Sequence, residues 1–281
     1  MMNRQKTNWK KVSKLTLLYL LLIGVACIFI GPFLWLLSTA FKSNSQDVFS
    51  FPPSFIPKPA VFDHFIEAWT AIPFPRYLLN SFLLIIIMVP AHIFLTALTA
   101  YPLARMNFPG RNFIFYAIIA TMFLPEEGKL VPLYIIVEKL GLVDSWWGLI
   151  LPGLVGGFSI FLMRQAYLAI PKEIEEAAII DGCGPFRVWW SIILPLTRPT
   201  LAALSVFAFI SVWNSFMWPL IILKDDSLFP ISLGLAYLSG TFGTDVKTMA
   251  AGVVISLVPV IIFYIAMQRH FVSGLQGSIK G

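Results

Sequence analysis

Uncharged, apolar stretches fill most of this chain. Five of them, 15–41, 77–104, 145–163, 199–223 and 248–268, are near or above the roughly 20 residues that a helix needs to cross a bilayer core. A sixth, 112–125, has 14 residues and then meets Glu126, Glu127 and Lys129. It reaches spanning length only by continuing through Leu130 to Val137. The pattern predicts an all-α, polytopic membrane protein. Its six spans fall at approximately 15–38, 77–104, 112–136, 145–168, 199–223 and 248–268, within one transmembrane domain covering 1–281. No internal repeat is visible.

The composition agrees with that pattern. The chain is 58% hydrophobic and 12% charged, with mean hydropathy +0.82. A soluble surface needs about 25% charged residues, so lipid is expected to solvate much of this one. The first run follows a basic N-terminus but is too long for a signal-peptide core, and no small-residue cleavage site closes it. It reads as an uncleaved first span.

Six spans put both termini on one side. If that side is the cytoplasm, the inner segments hold Arg4, Lys6, Lys10, Lys11, Lys14, Arg105, Arg111, Arg164, Lys172, Arg187, Arg198, Arg269 and Lys280. Four acids accompany them: Glu173, Glu175, Glu176 and Asp181. The remaining seven basic residues and ten acids lie outside. Concentration of Lys and Arg inside is the usual determinant of orientation. It accounts for the net charge of +6 without invoking nucleic acid. The outer segment 38–76 carries "FPPSFIPKPA", whose prolines favour a stiff, extended cap. Cys27 and Cys183 read as free thiols.

One polar stretch stands apart, "EEAAIIDGCGPFRVWWSIILPLTRP", Glu175 to Pro199. Pro171 suits the first position of a helix, and Glu173, Glu175 and Glu176 suit its positive N-terminal end. Ile174, Ala177, Ala178 and Asp181 share one face, and the two alanines make it thin enough for close approach. Gly182 and Gly184 end this helix. Pro185 starts a second, whose Phe186, Val188, Trp189 and Trp190 suit an interface. Pro195 and Pro199 mark re-entry into the next span. An insert of two short helices over 171–195, facing a protein partner, is expected.

The spacing Glu176-Ala177-Ala178, Gly182, Ile192, Leu194-Pro195 resembles the signature of ABC importer permeases. "LLNSF" (78–82), "GLILPGL" (148–154), "FLMRQAYLAIPKEIEEAAIIDG" (161–182), "VWNSFMWPLI" (212–221) and "QRHFVSGLQGSIKG" (268–281) extend the resemblance over nearly the whole chain. They resemble the carbohydrate-importer branch, the class of the maltose transporter's smaller permease. The resemblance implies that the insert is a coupling helix seated in a cytoplasmic ATPase. Glu176 would pair with a basic residue there, Ala177 and Ala178 would permit docking, and Asp181, Gly182, Ile192, Leu194 and Pro195 would complete the motif. It also implies a second, related permease forming a heterodimer, two ATPase subunits that hold ATP and Mg, and an external substrate-binding protein. The 224–247 segment is then positioned to reach that binding protein.

No phosphate-binding loop is present; "GTFGTDVKT" (240–248) lacks the Gly-Lys-Ser/Thr ending. No catalytic or metal-site pattern appears, and His64, His92 and His270 are scattered and read as structural. The chain is therefore expected to be a transporter subunit, not an enzyme, with no cofactor of its own. Ionisable groups at membrane depth are candidates for the substrate path. Glu126, Glu127 and Lys129 either line it or pair with one another, unless the helix ends at Pro125. Trp213, Asn214 and Trp218 suit sugar faces and hydroxyls, and the tryptophans equally suit packing or interface anchoring. Asn80 and Ser81 are further candidates. The substrate class stays open between sugars, polyols and glycerol phosphate. A self-sufficient secondary transporter or channel is the rival reading. It predicts internal symmetry or broken helices, and no docking insert.

Overall fold

Prolines and glycines interrupt the apolar runs, and the helices break where they occur. The computed structural model describes the backbone of residues 9–241 and 245–277. Arg4 and Lys6, the centre of 240–248, and the side chains of 268–281, with Arg269, His270 and Lys280, lie outside the described residues. The described residues are helical apart from turns, loops and one isolated bridge between Lys42 and Ala60. They divide into two units, Met1–Ala71 with Leu238–Ile255, and Ile72–Tyr237 with Ser256–Gly281.

The first unit holds α1 (Trp9–Ala40) and α2 (Asp63–Ala71). The apolar side chains of α1 are largely exposed, as expected of a helix solvated by lipid. The segment between these helices closes on itself. Val61 N–H donates to the Phe41 carbonyl (2.9 Å), and Phe41 packs edge-on against Phe62 at 5.2 Å. The proline-rich 51–60 stretch contains no helix, and α2 forms after it. Asp63 supplies a negative charge to the first turn of α2.

In the second unit α3 (Phe74–Arg105) is the axis. Ala97, Ala100 and Ala104 lie along one stripe of it, all buried in a cluster with Met163, Tyr167, Trp189 and Leu204. Small residues at this spacing let helices approach closely in a membrane. The chain continues through α4 (Arg111–Ala120), α5 (Glu126–Lys139), α6 (Trp146–Gly153) and α7 (Gly157–Leu168). The polar insert contributes α8 (Lys172–Ile180), α9 (Pro185–Val188), a π-helical turn at Trp189–Ile193 and α10 (Leu194–Leu196). After it come α11 (Arg198–Trp213), α12 (Met217–Ile222), α13 (Ile231–Thr241) and α14 (Val246–Gly277).

Among the described residues, three helices are long and apolar enough to cross a membrane alone, Ser13–Ala40, Phe74–Arg105 and Val246–Met267. Two bent pairs pass the same test together, Trp146–Gly153 with Gly157–Leu168 (41°) and Pro185–Leu196 with Arg198–Trp213 (78°). The stretches expected as continuous spans over 112–136, 145–168 and 199–223 are therefore interrupted. The first breaks at Leu124–Pro125, because Pro125 cannot continue a helix and instead precedes the first turn of α5. The second breaks after Pro152 and Gly153, and the third at 214–216.

The second and third breaks free backbone carbonyls that side chains from other elements take. Pro152 has no N–H for Gly148 O, which accepts the Trp218 indole N–H at 3.0 Å. Pro219 likewise frees Ser215 O, which accepts the Ser232 hydroxyl at 2.5 Å. At the end of α3, Leu103 O accepts Arg164 Nε at 3.0 Å. Asp144 sits at φ 59°, a conformation that Asp tolerates better than most residues. Its Oδ1 accepts the backbone N–H groups of Lys224 (2.8 Å) and Asp225 (2.9 Å). Those bonds, from Asp225 and then Lys224, hold its carboxyl below the usual aspartate range.

A carboxyl with a depressed folded-state pKa contributes stability above its unfolded pKa and loses it as pH falls through the folded value. Asp144→Asn is therefore expected to unfold at a lower temperature than wild type near neutral pH. Thermal unfolding against pH is expected to show that difference shrinking in acid.

Candidate functional site

The polar insert is built as two helices around a glycine turn. Gly182 has φ +81°, a left-handed conformation that costs other residues about 1–2 kcal/mol. Cys183 N–H donates to Ala178 O and Gly182 N–H to Ile179 O, both at 3.0 Å. This six-to-one and inner pair of bonds is the Schellman arrangement, and it closes α8 without a polar cap. The turn leaves Glu176, Ala177, Asp181 and Gly182 exposed. Ile180 is 85% exposed, and Ile179, Phe186 and Trp190 stand exposed in the same insert.

The thin face expected for docking is divided. Ala178 is buried in the chain's own cluster beside Val188 and Trp189, whereas Ala177 is free. The tryptophans divide in the same way, since Trp189 is buried and Trp190 is half-exposed. Ile192, Leu194 and Pro195 are partly buried in the return toward α11. The insert is anchored from behind. Trp189 Nε1–H donates to the Tyr167 hydroxyl (2.9 Å), which donates to Ala97 O (3.1 Å). Arg105, at the end of α3, donates to Tyr167 O (2.6 Å) and Ile170 O (2.5 Å). Pro171 has no N–H to offer Tyr167 O. The same guanidinium lies 3.5 Å from Glu175 Oε1. From sequence Arg105 enters only the charge balance; its place directly after the uncharged run 77–104 is the available signal.

The second unit also holds a partly open cavity of about 610 Å³. All three helix breaks reach it. Thr121, Met122 and Leu124 come from the first, Gly153, Val155 and Gly156 from the second, and Ser215 and Trp218 from the third. Gly157 permits this convergence, because a Cβ there would stand 2.9 Å from Met122 Cγ and 3.0 Å from Ile118 O. Irregular backbone at membrane depth is tolerated where it lines such a cavity.

Of the residues expected on the path, Glu126, Lys129 and Trp218 line this cavity. Glu127 does not, and no ion pair joins these three charged groups among the described residues. Trp213 is buried in an aromatic stack, 5.9 Å from Phe209 and 5.7 Å from Phe82. Asn214 is exposed at the break itself. Asn80 donates to Ser227 O and Phe229 O, each at 2.9 Å, and Ser81 Oγ accepts Ile231 N–H at 2.8 Å. Both hold the chain leading into α13.

His92 also lines the cavity, with Nδ1 3.3 Å from Gly153 O and Nε2 2.8 Å from Ser159 Oγ. The carbonyl accepts from Nδ1–H, which makes Nε2 the acceptor of the serine hydroxyl. The sequence reading as a structural residue did not place it at the cavity. The signal was the "PGLVGG" interruption (152–157) facing a polar residue in a neighbouring span.

Tyr167→Phe removes the acceptor of the buried Trp189 N–H. Unfolding of the purified protein is expected to show a loss of about 1–3 kcal/mol, without a change in cavity-lining groups.

The model of the family described as "Binding-protein-dependent transport system inner membrane component" matches residues 60–276. The arabinooligosaccharides transport system permease protein AraQ of Halalkalibacterium halodurans is 34% identical, over 97% of this chain and all of that protein. The sn-glycerol-3-phosphate transport system permease protein UgpE of Yersinia pestis is 36% identical, over 93% of this chain and 95% of its own length. A bacterial ABC transporter involved in import of the acidic polysaccharide alginate has a chain of the same fold. The TM-score is 0.79 at 23% identity, with 96% of this chain and all of that one covered. Broken helices, expected of a secondary transporter, thus occur in a chain whose relatives are permease subunits. The family match and the near full-length relatives agree that the chain belongs to the binding-protein-dependent transport system inner membrane components.

Proposed function

We propose that the chain is one of two permease subunits of an ATP-driven carbohydrate importer. The observation that carries this reading is the pairing of a cavity lined by three helix breaks with an exposed, internally anchored helical insert. The proposed assembly comprises a second, related permease, two ATPase subunits that bind ATP and Mg, and an external substrate-binding protein. Six membrane crossings in one permease domain follow if each interrupted stretch counts as one. Both termini and the insert then face the cytoplasm, as the distribution of Lys and Arg favours.

In the proposed cycle, Glu176, Ala177, Asp181 and Gly182 meet the ATPase. Ala178, Ile192, Leu194 and Pro195 hold the insert's shape from within. Closure of the ATPase pair on ATP moves the insert, and the Arg105 and Tyr167 contacts carry that motion to α3 and α7 as a rigid body. ATP drives the change only through its different affinity for the two states. The substrate passes along the cavity, where Trp218, Phe158 and Phe207 offer apolar faces and Ser211 and Ser215 offer hydroxyls. Trp213, Asn80 and Ser81 support this path through packing and backbone bonds; Asn214 and Glu127 flank it.

Lys129 in the cavity wall favours a second reading of the cargo, a phosphorylated polyol such as glycerol phosphate. Transport assays distinguish the two. Lys129→Gln is expected to raise the half-saturating concentration of an anionic phosphate about fivefold and to leave a neutral oligosaccharide unaffected. An equal effect on both would remove charge recognition from this residue.

Glu176→Lys reverses a charge at the exposed insert. The variant is expected to insert normally but to lose uptake by more than about tenfold in vesicles holding the whole importer, since a like charge then faces the ATPase's basic partner. Uptake at the wild-type rate would contradict the coupling assignment.

A further inference from the structure

One cluster of ligand-type groups lies outside both the insert and the cavity. His64 and Glu67 share a face of α2, and Asp245 and Thr248 flank the start of α14. His64 is 1% exposed. Its Nδ1 stands 3.1 Å from Glu67 Oε2, 3.3 Å from Thr248 Oγ1 and 3.9 Å from Asp245 Oδ2. Thr248 Oγ1 is 2.8 Å from Glu67 Oε2 and in short contact with Asp245 Oδ2. One ligand atom from each of His64, Glu67 and Asp245 lies within 4.8 Å of the others.

Protons alone satisfy this arrangement poorly. The threonine hydroxyl has one proton and two carboxylate neighbours, so one close oxygen pair is left without a hydrogen. The imidazole has two ring nitrogens, and its buried Nε2 finds no hydrogen-bond partner among the described residues. If the ring proton sits on Nε2, the Nδ1 lone pair faces carboxylate oxygen. If it sits on Nδ1, Nε2 is a buried acceptor with nothing to accept, and with a proton on both nitrogens the Nε2–H is a buried donor with nothing to donate to. No lysine or arginine pairs with either carboxylate among the described residues. Lys247, two positions from Asp245, directs its ammonium to Ser43 O (2.9 Å) and Asn44 O (3.3 Å) instead.

We propose that His64, Glu67 and Asp245 bind a divalent cation of the zinc type, with water in the fourth position. Ligand atoms about 2.0–2.1 Å from a tetrahedral zinc stand about 3.3–3.4 Å from one another, and the 3.1 and 3.9 Å separations bracket that value. Imidazole with two carboxylates suits zinc, and the ion neutralises both acids at once. The bound metal ties α2 to the head of α14. These segments are far apart in sequence, which is why residue spacing gave no metal signature. The inference is independent of the transport reading.

The test uses the full chain, purified in detergent on a tag without histidine, stripped with chelator and titrated with zinc chloride alone. One zinc per chain is expected to remain after removal of excess, and the unfolding midpoint is expected to rise. Glu67→Gln and Asp245→Asn keep side-chain shape, and each is expected to weaken zinc binding by more than about tenfold. No retained zinc, or retention equal in wild type and both variants, would overturn the proposal. Should the variants fail to fold, cobalt substitution in the wild type decides. An intense visible band of four-coordinate cobalt supports the site, and only the pale spectrum of the six-coordinate ion overturns it, leaving His64 as an ion-pair partner of the two acids.

Discussion

A backbone carbonyl that loses its helical partner inside a bilayer has no water to replace it. Much of the second unit is organised around this constraint. Interrupted helices line the cavity, and Pro152 and Pro219 there, like Pro171 at the start of the insert, each leave a carbonyl that another element's side chain takes. Trp218, Ser232 and Arg105 are those donors. His92 and Arg164 serve Gly153 and Leu103 in the same manner. Because each donor comes from far along the chain, the bonds that repair the breaks also fix how the helices stand around the cavity.

The insert follows from the same logic at its polar edge. Arg105 closes the end of α7 and also faces Glu175, so the first helix of the insert is tied to the base of two membrane helices. Tyr167 and Trp189 add a second tie. A loop with these anchors transmits displacement, whereas a solvated loop would absorb it. Glu176, Ala177, Ile180 and Phe186 remain exposed, where the proposed ATPase would meet them. Trp218 serves the cavity both as wall and as backbone donor.

The helical, polytopic character was legible from run lengths alone, and the insert from its glycines and prolines. Gly182 could be placed at a turn because no other residue type in "AAIIDGCG" accepts that conformation as readily. Continuity of the spans was not legible. Run length measures whether a segment suits lipid, and says nothing of whether its backbone stays regular. The break at 214–216 falls inside an uncharged run, whereas the one at Pro125 coincides with the charges of Glu126, Glu127 and Lys129. Trp213 and Trp218 look equivalent in "VWNSFMW", yet one is buried against Phe209 and the other reaches the cavity. The intervening break rotates the second away from the first, and no periodicity argument crosses a break. Asn80 was recognisable as a polar group in a span, but its carbonyl partners lie near residue 228, beyond the reach of local pattern.

The central claim is that this chain translocates its cargo only in partnership with an ATPase docked on the insert. The direct measurement is purification from native membranes, identification of the co-purifying chains, and uptake assay after reconstitution in liposomes. Recovery of a second permease and an ATPase, with uptake that requires ATP, is the predicted result. Sustained uptake by this chain alone, without ATP, would contradict the account and favour a self-sufficient transporter.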